Sequence, residues 1–246
     1  LKFAVGMMCS RNTDGTPRKI CHLDLKPGNV LIKESASGLT AKIADFGMSV
    51  GEGRHPYGTF EYMPPECWQA KYGTPDQTSD VFSFGILLWE MFARRRVYTG
   101  LGNLQEIASA GVVDVELVPV WMTVSRRRPE FLASCPCAWR LLCEACWVLP
   151  PPPAPDTAAE QESADEIVAR HQQAMDARPS FSQISEVLRR IEQVDDWDLP
   201  PPTSSEDPFQ AFVAQLGMDL EEKLSTFRDL LTVGSELVEL KQMDED

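Results

Sequence analysis

Residues 79–95, SDVFSFGILLWEMFARR, are apolar almost all the way round a helix. A soluble helix without a broad polar face has to lie inside a core, with other elements packed around it. We expect Thr78 or Ser79 to cap its start, because their hydroxyl oxygens can accept hydrogen bonds from the first free amides. The apolar run FGILLWEMFA contains one charged residue, Glu90, and is too short to span a bilayer. The segment therefore predicts a mainly α-helical domain built around one buried helix.

The negative charge of the chain is concentrated at its C-terminal end. The 246 residues carry a net charge of −14, but residues 1–50 carry +3 and residues 195–246 carry −11. A chain of this length predicts one or two domains. An acidic end repels phosphate groups, so we expect neither nucleic acid nor a membrane as its partner. The simplest interpretation of this end is a solvated acidic face.

Seven cysteines are present, and no signal peptide is visible. An odd number in a chain of this size favours a reducing compartment, so we expect a cytoplasmic location. Four of them have the spacing C-x-C-x5-C-x2-C between residues 135 and 146. This spacing has two interpretations, a zinc cluster or thiols packed in a core, and we favour the core. Because the chain begins with leucine and ends in MDED, we expect it to be a fragment of a longer polypeptide.

The stretch HLDLKPGNVLI, residues 22–32, places three polar functional groups close together between apolar flanks. Asp24 supplies a carboxylate, Lys26 an ammonium group and Asn29 an amide, and a second carboxylate, Asp45, follows a predicted strand. Phosphoryl transfer needs these parts: a base that orients a hydroxyl, a cation that offsets developing charge, and oxygen ligands for Mg²⁺. The stretch therefore predicts a site that handles an anionic group and a metal together.

Five motifs, in order and spacing, resemble those of protein kinases. They are the catalytic loop HLDLKPGN (22–29), the magnesium-binding triplet DFG (45–47), the end of the activation segment GTFEYMPPE (58–66), the start of the central buried helix SDVFSFG (79–85) and the late arginine motif RPSF (178–181). Pro64 stands where the family usually has alanine. The resemblance implies a mainly α fold: the larger, C-terminal kinase lobe, with short β-hairpins at the catalytic loop and the N-terminal lobe missing.

The resemblance implies ATP and Mg²⁺ as cofactors and assigns the catalytic roles. Asp24 would accept or orient the proton of the substrate hydroxyl, and Lys26 would lie against the transferred phosphoryl group. Asn29 and Asp45 would hold Mg²⁺. Thr59 would hydrogen-bond near Asp24 and Lys26.

It also assigns binding and supporting roles. Leu31 would lie under the adenine ring. Asp80 would hold the backbone of the catalytic loop, and Glu66 would pair with Arg178. His22, Phe46 and Gly47 would support the triplet by packing. The other two histidines, His55 and His171, are interpreted as solvated.

Local features indicate which group of protein kinases the sequence resembles. Lys26 and the pair Gly58-Thr59 follow the serine/threonine pattern, whereas residues 82–90 and 178–181 are similar to tyrosine kinases. The combination resembles the tyrosine-kinase-like group of serine/threonine kinases. Leu23 stands where most of the family has arginine, which grips a phosphate on the activation segment. We expect phosphorylation of Ser49, Tyr57 or Thr59 not to switch activity by that route.

The predicted organisation has three parts. Residues 1–192 form the lobe, with a proline-rich and helical insertion at 149–176, an acidic and proline-rich linker at 193–208 and a helical tail at 209–246. The tail weakly resembles the first part of a sterile-alpha-motif domain, and a solvated helical tail is the alternative. The proline tracts and the tail are candidate protein-binding segments, although the tracts are more simply linkers.

The predicted function is that of a serine/threonine protein kinase fragment in signal transduction, with protein substrates. Because no glycine-rich loop, strand lysine or partner glutamate precedes the catalytic loop, the isolated chain is expected to be inactive. The alternative is a pseudokinase or scaffold fragment that acts as a protein-interaction module. A parent chain lacking the upstream loop and lysine would favour this alternative.

Overall fold

The computed structural model describes residues 21–35, 38–46, 58–98, 128–150 and 162–194. In this part of the chain the fold is mostly helical, with one two-stranded sheet. None of its helices is long and apolar enough to cross a membrane. The chain divides into two units, residues 1–199 and 200–246, and the second unit lies outside the described residues. The same holds for the predicted linker, apart from its first residues, and for the tail.

The strands β1 (Val30–Ser35) and β2 (Gly38–Ile43) form an antiparallel hairpin, with Val30 opposite Ile43 and Ser35 opposite Gly38. Both strands are longer than the predicted segments 30–32 and 41–44. The sequence also predicts a strand at residues 20–22. Cys21 forms a single β-bridge, His22 is in no strand, and residue 20 lies outside the described residues.

In the described ranges five helices follow the hairpin. Short 3₁₀ turns lie at Pro27–Asn29, before the hairpin, and at Phe60–Tyr62 and Ala70–Tyr72, after it. The helices are α1 (Pro65–Trp68), α2 (Gln77–Ala93), α3 (Cys137–Cys146), α4 (Ala164–Asp176) and α5 (Phe181–Val194). All residues of α2 from Ser79 to Glu90 are buried. This agrees with a helix that is apolar almost all round, and α2 is the centre of the core.

The N-terminal cap of α2 differs from the prediction. Asp76, not Thr78 or Ser79, is the cap residue: its Oδ1 accepts the N–H of Thr78 at 2.7 Å. The Ser79 hydroxyl faces back and accepts the N–H of Asp76 at 3.3 Å, which completes a capping box. The prediction was wrong because an aspartate carboxylate accepts hydrogen bonds from the first free amides just as a hydroxyl can. The Thr78 and Ser79 hydroxyls donate instead, to Asp76 and Glu66.

Helices α3 and α5 both contact α2, about one turn apart along it. The indole Nε1 of Trp139 in α3 donates to the Leu88 carbonyl oxygen at 3.1 Å. The ring of Phe181 in α5 meets that of Phe84 edge-on, with 5.5 Å between the ring centroids. These contacts bury the two helices against the same central element.

We expect the substitution Gly85→Ala to lower the free energy of unfolding by about 1–3 kcal/mol, the usual cost of overpacking a core. A Cβ at Gly85 would lie 2.7 Å from the Cβ of Cys146 and 3.3 Å from the carbonyl oxygen of Cys143. Helices α2 and α3 would have to separate. Urea denaturation measures the change. Gly28→Ala is the control, because its added Cβ has no neighbour nearer than 4.0 Å; an equal loss for both variants would contradict the close packing of the helices.

Candidate active site

The loop that carries Asp24 is held by a carboxylate at the start of α2. The two oxygens of the fully buried Asp80 accept the backbone N–H groups of His22 and Leu23, each at 2.7 Å. Leu23 has a φ of 63°, which is unfavourable for a branched side chain, so the loop needs such support. Burial raises the pKa of Asp80 to about 6, and the two backbone donors act in the opposite direction. Asp80 thereby holds the backbone turn that presents Asp24.

His22 connects this loop to the residues that follow β2. Its Nε2 lies 2.9 Å from the Ala44 carbonyl oxygen, and its Nδ1 accepts the N–H of Asp24 at 3.3 Å. The ring proton therefore belongs on Nε2. The Phe46 ring meets the imidazole edge-on, with centroids 4.9 Å apart. Since Ala44 and Phe46 both contact His22, Asp45 between them is placed beside the loop.

Thr59, Lys26 and Asn29 surround the carboxylate of Asp24. Its Oδ1 accepts the N–H of Thr59 at 3.0 Å and the Thr59 hydroxyl at 2.8 Å. Its Oδ2 accepts from Lys26 Nζ at 2.7 Å and from Asn29 Nδ2 at 3.1 Å. Lys26 Nζ also donates to the Thr59 hydroxyl oxygen at 2.7 Å. Gly58 permits this approach, because a Cβ there would lie 2.9 Å from the Leu23 carbonyl oxygen.

The electrostatics of this cluster favour a charged Asp24. Burial raises the pKa of the Asp24 carboxyl, but the hydrogen bonds from Lys26 and Thr59 outweigh it and hold the pKa below its usual value. A carboxylate is therefore available at neutral pH as a proton acceptor or as an orienting group for a hydroxyl. The two oxygens of Asp24 have different partners. Oδ1 accepts hydrogen bonds from Thr59, and Oδ2 accepts them from Lys26 and Asn29 of its own loop.

The candidate cation ligands lie at the open end of the hairpin. Asn29 Nδ2 also donates to the Asp24 carbonyl oxygen at 2.8 Å, so the amide oxygen of Asn29 is the atom oriented away from the loop. The Asn29 carbonyl oxygen accepts the N–H of Ala44 at 2.9 Å, which brings Asp45 next to Asn29 in the chain fold. Asp45 is exposed and has a φ of 63°. An amide oxygen and a carboxylate form the kind of donor set that Mg²⁺ takes, so these residues fit it.

Glu66 and Arg178 form a buried, two-point ion pair although 112 positions separate them. Arg178 Nη1 and Nη2 donate to the two carboxylate oxygens of Glu66, the second at 3.3 Å. Ser79 Oγ adds a hydrogen bond to Glu66 at 2.9 Å, and Arg178 Nη1 also donates to the Thr78 carbonyl oxygen at 3.2 Å. The pair thus connects α1, which carries Glu66, to the start of α2 and to the segment between α4 and α5, which carries Arg178.

Leu23 occupies an apolar cluster rather than a polar site. Its side chain is 4% exposed and packs with Cys21, Met63 and Cys67, against which Phe60 also packs. The loop and the segment after Thr59 are thus joined by apolar contact at the position where the resemblance places an arginine. Ser49, Tyr57 and Gly47 lie outside the described residues. The expectation about phosphorylation therefore stays a prediction.

His171 differs from the sequence interpretation. It is buried, with 3% of its surface exposed, and its ring packs against that of Tyr72 with 4.5 Å between the ring centroids; it is not solvated. Burial lowers its pKa to about 4. Leu31, on β1, is 57% exposed, and its expected contact with an adenine ring stays a prediction. The error at His171 arose because α4 packs this face against the turn Ala70–Tyr72, a contact between segments far apart in sequence.

Sequence reasoning assigned no role to Tyr62, Ser83 and Glu90. The Tyr62 hydroxyl donates to Glu90 Oε2 at 2.9 Å, and Ser83 Oγ donates to the Tyr62 carbonyl oxygen at 2.8 Å. The available signal was Glu90 itself, since a carboxylate in an otherwise apolar helix needs buried donors. The identity of those donors could not be read from the pattern.

The cysteines between 135 and 146 lie at and in α3. Within the described ranges, no group of three or more His, Cys, Asp and Glu side chains is arranged to hold a metal ion. Burial raises the pKa of Cys135 to about 11 and that of Cys143 well above its usual value. Cys143 and Cys146 are buried in the core, whereas Cys135 and Cys137 are partly exposed.

Comparison with known proteins agrees with this geometry. The family model of the protein kinase domain matches residues 17–140, about half of the chain. A probable LIM domain-containing serine/threonine-protein kinase of Dictyostelium discoideum is 32% identical over 179 residues, which are 71% of this chain and 14% of that protein. A mitogen-activated protein kinase kinase kinase of Drosophila melanogaster is 33% identical over 164 residues, 61% of this chain and 12% of that protein.

The proto-oncogene serine/threonine-protein kinase mos of Rattus norvegicus is 36% identical over 115 residues, 44% of this chain and 32% of that protein. The chain therefore spans between 12% and 32% of the length of these three relatives.

Proposed function

Because this chain belongs to the protein kinase family, we propose that it forms the C-terminal lobe, residues 1–192, of a serine/threonine protein kinase. The reaction is transfer of the γ-phosphate of ATP to serine and threonine hydroxyls of proteins. The observation that carries the proposal is the position of Thr59, whose hydroxyl lies between Asp24 Oδ1 and Lys26 Nζ at 2.8 and 2.7 Å. The names of three relatives, from two organisms, support the serine/threonine class.

Asp24 is the residue that meets the acceptor hydroxyl in this proposal. Its Oδ1 is held by Thr59, and its Oδ2 is the oxygen that would receive the hydroxyl proton. Lys26 now bonds Oδ2, and its ammonium group would move toward a phosphoryl group because that group carries more negative charge than one carboxylate. The movement would free an acceptor position on Asp24 for the substrate.

Asn29 and Asp45 would hold Mg²⁺ through oxygen atoms, and Leu31 would contact the adenine ring. When bound, ATP supplies the phosphoryl group and Mg²⁺ offsets its negative charge. The Asp24 side chain keeps Asn29 oriented through Nδ2, so the base and the cation ligand depend on each other. Asp80 and the Glu66–Arg178 pair hold the loop and the segment after Thr59 in place.

The isolated 246 residues are proposed to be inactive, because no glycine-rich phosphate-binding motif stands before residue 22 in the sequence. We expect the longest natural polypeptide that contains this sequence to transfer labelled phosphate from Mg-ATP to a mixed protein substrate. The 246-residue chain should be at least about 100-fold slower, since loss of positioning costs rates of that order. Phosphoamino-acid analysis should find phosphoserine and phosphothreonine.

Each result of this assay has a separate meaning. Comparable activity of the isolated chain would contradict the proposed inactivity. Failure of the longest polypeptide to phosphorylate any protein, itself included, would contradict the kinase function and favour the pseudokinase or scaffold alternative. Partner binding through the proline tracts, residues 150–155 and 199–202, or through the acidic tail remains a proposal that the assay does not address, as does a cytoplasmic location.

A further inference from the structure

Helix α4, in the proposed insertion 149–176, is stabilised by contacts among its own residues. Ser163 and Glu166 form a capping box at its start: the Ser163 N–H donates to Glu166 Oε2 at 2.8 Å, and the Glu166 N–H donates to Ser163 Oγ at 3.3 Å. Arg170 forms a two-point ion pair with Glu162, with both bonds at 2.8 Å. Because these contacts lie within residues 162–170, α4 keeps them whether or not it is packed against the rest of the lobe.

The face of α4 that packs against the lobe is small, and its buried residues are His171, Ala174 and Met175. The imidazole of His171 lies 4.5 Å from the Tyr72 ring, between the ring centroids. Met175 packs beside Gly73, where an added Cβ would lie 3.5 Å from its Sδ. Gly73 has a φ of 116°, which favours glycine, so the turn that receives α4 has a backbone suited to this one residue type.

Ionisable groups from each neighbouring element surround His171. Those that act on its protonation have opposing effects: Arg170 and Arg178 disfavour it, and Glu66 and Glu162 favour it. On the turn, Tyr72 contacts the imidazole, and the Lys71 ammonium lies over the Tyr72 ring, 4.8 Å from its centroid. Helix α2 also contacts α4, and the carboxylates at its start, Asp76 and Asp80, accept hydrogen bonds from backbone amides.

Burial is the largest influence on His171, and it lowers the pKa of the imidazole from its usual 6.5 to about 4. An imidazole released from this site would return to its usual pKa. Between these two values the docked helix binds fewer protons than the released helix. Docking therefore weakens as the pH falls from 6.5 toward 4, and a change from pH 7.5 to 5.5 lowers its equilibrium constant about 10-fold.

We propose that α4 is a strap that docks on the turn Ala70–Tyr72 through a neutral His171 and opens separately from the core of the lobe, with acid favouring the open state. Opening would disturb the pair of Glu66 and Arg178, because the Arg178 N–H donates to the Met175 carbonyl oxygen at 3.1 Å. A protonated His171 would also repel the guanidinium group of that pair. The strap does not depend on phosphate transfer and goes beyond the proposed function.

Hydrogen exchange measured by mass spectrometry at pH 7.5 and 5.5 tests the strap in the longest natural polypeptide that contains this sequence. Exchange rates are divided by those of an unstructured chain at the same pH, so protection reports the opening equilibrium. At pH 7.5 we expect the amides of α4 and of residues 69–73 to be less protected than those of the buried stretch of α2. Their protection should fall about 10-fold between pH 7.5 and 5.5.

Two substitutions at the ring contact isolate the contribution of His171. His171→Phe keeps an aromatic ring against Tyr72 but cannot be protonated, so the protection of α4 should change less than about 2-fold between the two pH values. Tyr72→Phe is the matched control, because it keeps both the ring and His171, and the fall of about 10-fold should remain. The carboxylates near His171 are present in all three proteins, so their own titration cancels in the comparison.

Three results would overturn the proposal. The first is equal protection of α4 and α2 at pH 7.5, since α4 would then open only with the whole lobe. The second is the same fall in protection in the wild type and in His171→Phe; if this variant does not fold, His171→Gln takes its place. The third is a titration of the wild-type imidazole, followed by NMR, with its midpoint near the usual 6.5. None of these measurements uses phosphate transfer, so their outcome is independent of the proposed function.

Discussion

Asp24→Asn should lower kcat by about 1,000-fold, within the range that loss of a general base produces. Asparagine cannot accept the hydroxyl proton. Its amide nitrogen would also face groups that are themselves donors, either Thr59 or the pair Lys26 and Asn29, so the hydrogen bonds on that side of residue 24 would be lost. The affinity for nucleotide should fall far less than kcat, because Asp24 acts on the proposed Mg²⁺ ligand Asn29 only through its Nδ2 and is not itself a proposed ligand of ATP or Mg²⁺.

The measurement is steady-state phosphate transfer by the longest natural polypeptide, together with nucleotide affinity by calorimetry. Asp76→Asn is the matched control, since it removes the same charge from the cap of α2, where asparagine serves as well as aspartate. Its kcat should stay within about 2-fold of wild type. If Asp24→Asn kept more than a tenth of the wild-type kcat, Asp24 would not be the proton-accepting residue.

Arg178→Met should lower the free energy of unfolding by about 3–5 kcal/mol, the cost of breaking a buried ion pair from one side. Both side chains are only 1% exposed. Without the guanidinium group, Glu66 would keep the Ser79 hydroxyl as a donor but would lose its only charged partner in the contacts described above. The penalty comes from the uncompensated charge of Glu66 more than from the loss of packing.

Chemical denaturation monitored by tryptophan fluorescence measures this loss. Arg189→Met is the matched control, because Arg189 pairs with Glu186 on the surface of α5 and is 42% exposed; its effect should stay below about 0.5 kcal/mol. Replacing both members of the buried pair, as Arg178→Met with Glu66→Leu, should recover part of the loss. Equal destabilisation by Arg178→Met and Arg189→Met would show that the buried pair does not stabilise the lobe.

Much of the site could be predicted from short stretches of sequence. Asp24, Lys26 and Asn29 lie within six residues, so the loop alone brings them together, and the structure places all three in contact. The contact of Thr59 with Asp24, and the pair of Glu66 with Arg178, were expected from the resemblance to a family and not from any local pattern. Their catalytic and structural roles await the experiments above.

Other features could not be predicted because they depend on what packs across from a residue. His171 lies on a helix with few apolar residues, and its burial follows from the contact of α4 with Tyr72. Asp76 caps α2 because the helix begins at Gln77, ahead of Thr78 and Ser79, and the Ser79 hydroxyl in the first turn donates to the distant Glu66. Local sequence preferences identify which residues could cap a helix or be buried. Contacts with residues far along the chain determine which of them do so.

The amino-acid sequence by itself determined that a helix near residue 80 would be buried, since a helix that is apolar all round is stable only inside a core. It also determined the composition of the loop around Asp24, where neighbouring residues are forced into contact by the short chain between them. Only the tertiary structure decided which groups satisfy the charges that this core encloses. Asp80 faces the amides of His22 and Leu23, and Glu90 faces Tyr62, because a buried carboxylate takes the donors that folding brings within about 3 Å, wherever they stand in the chain.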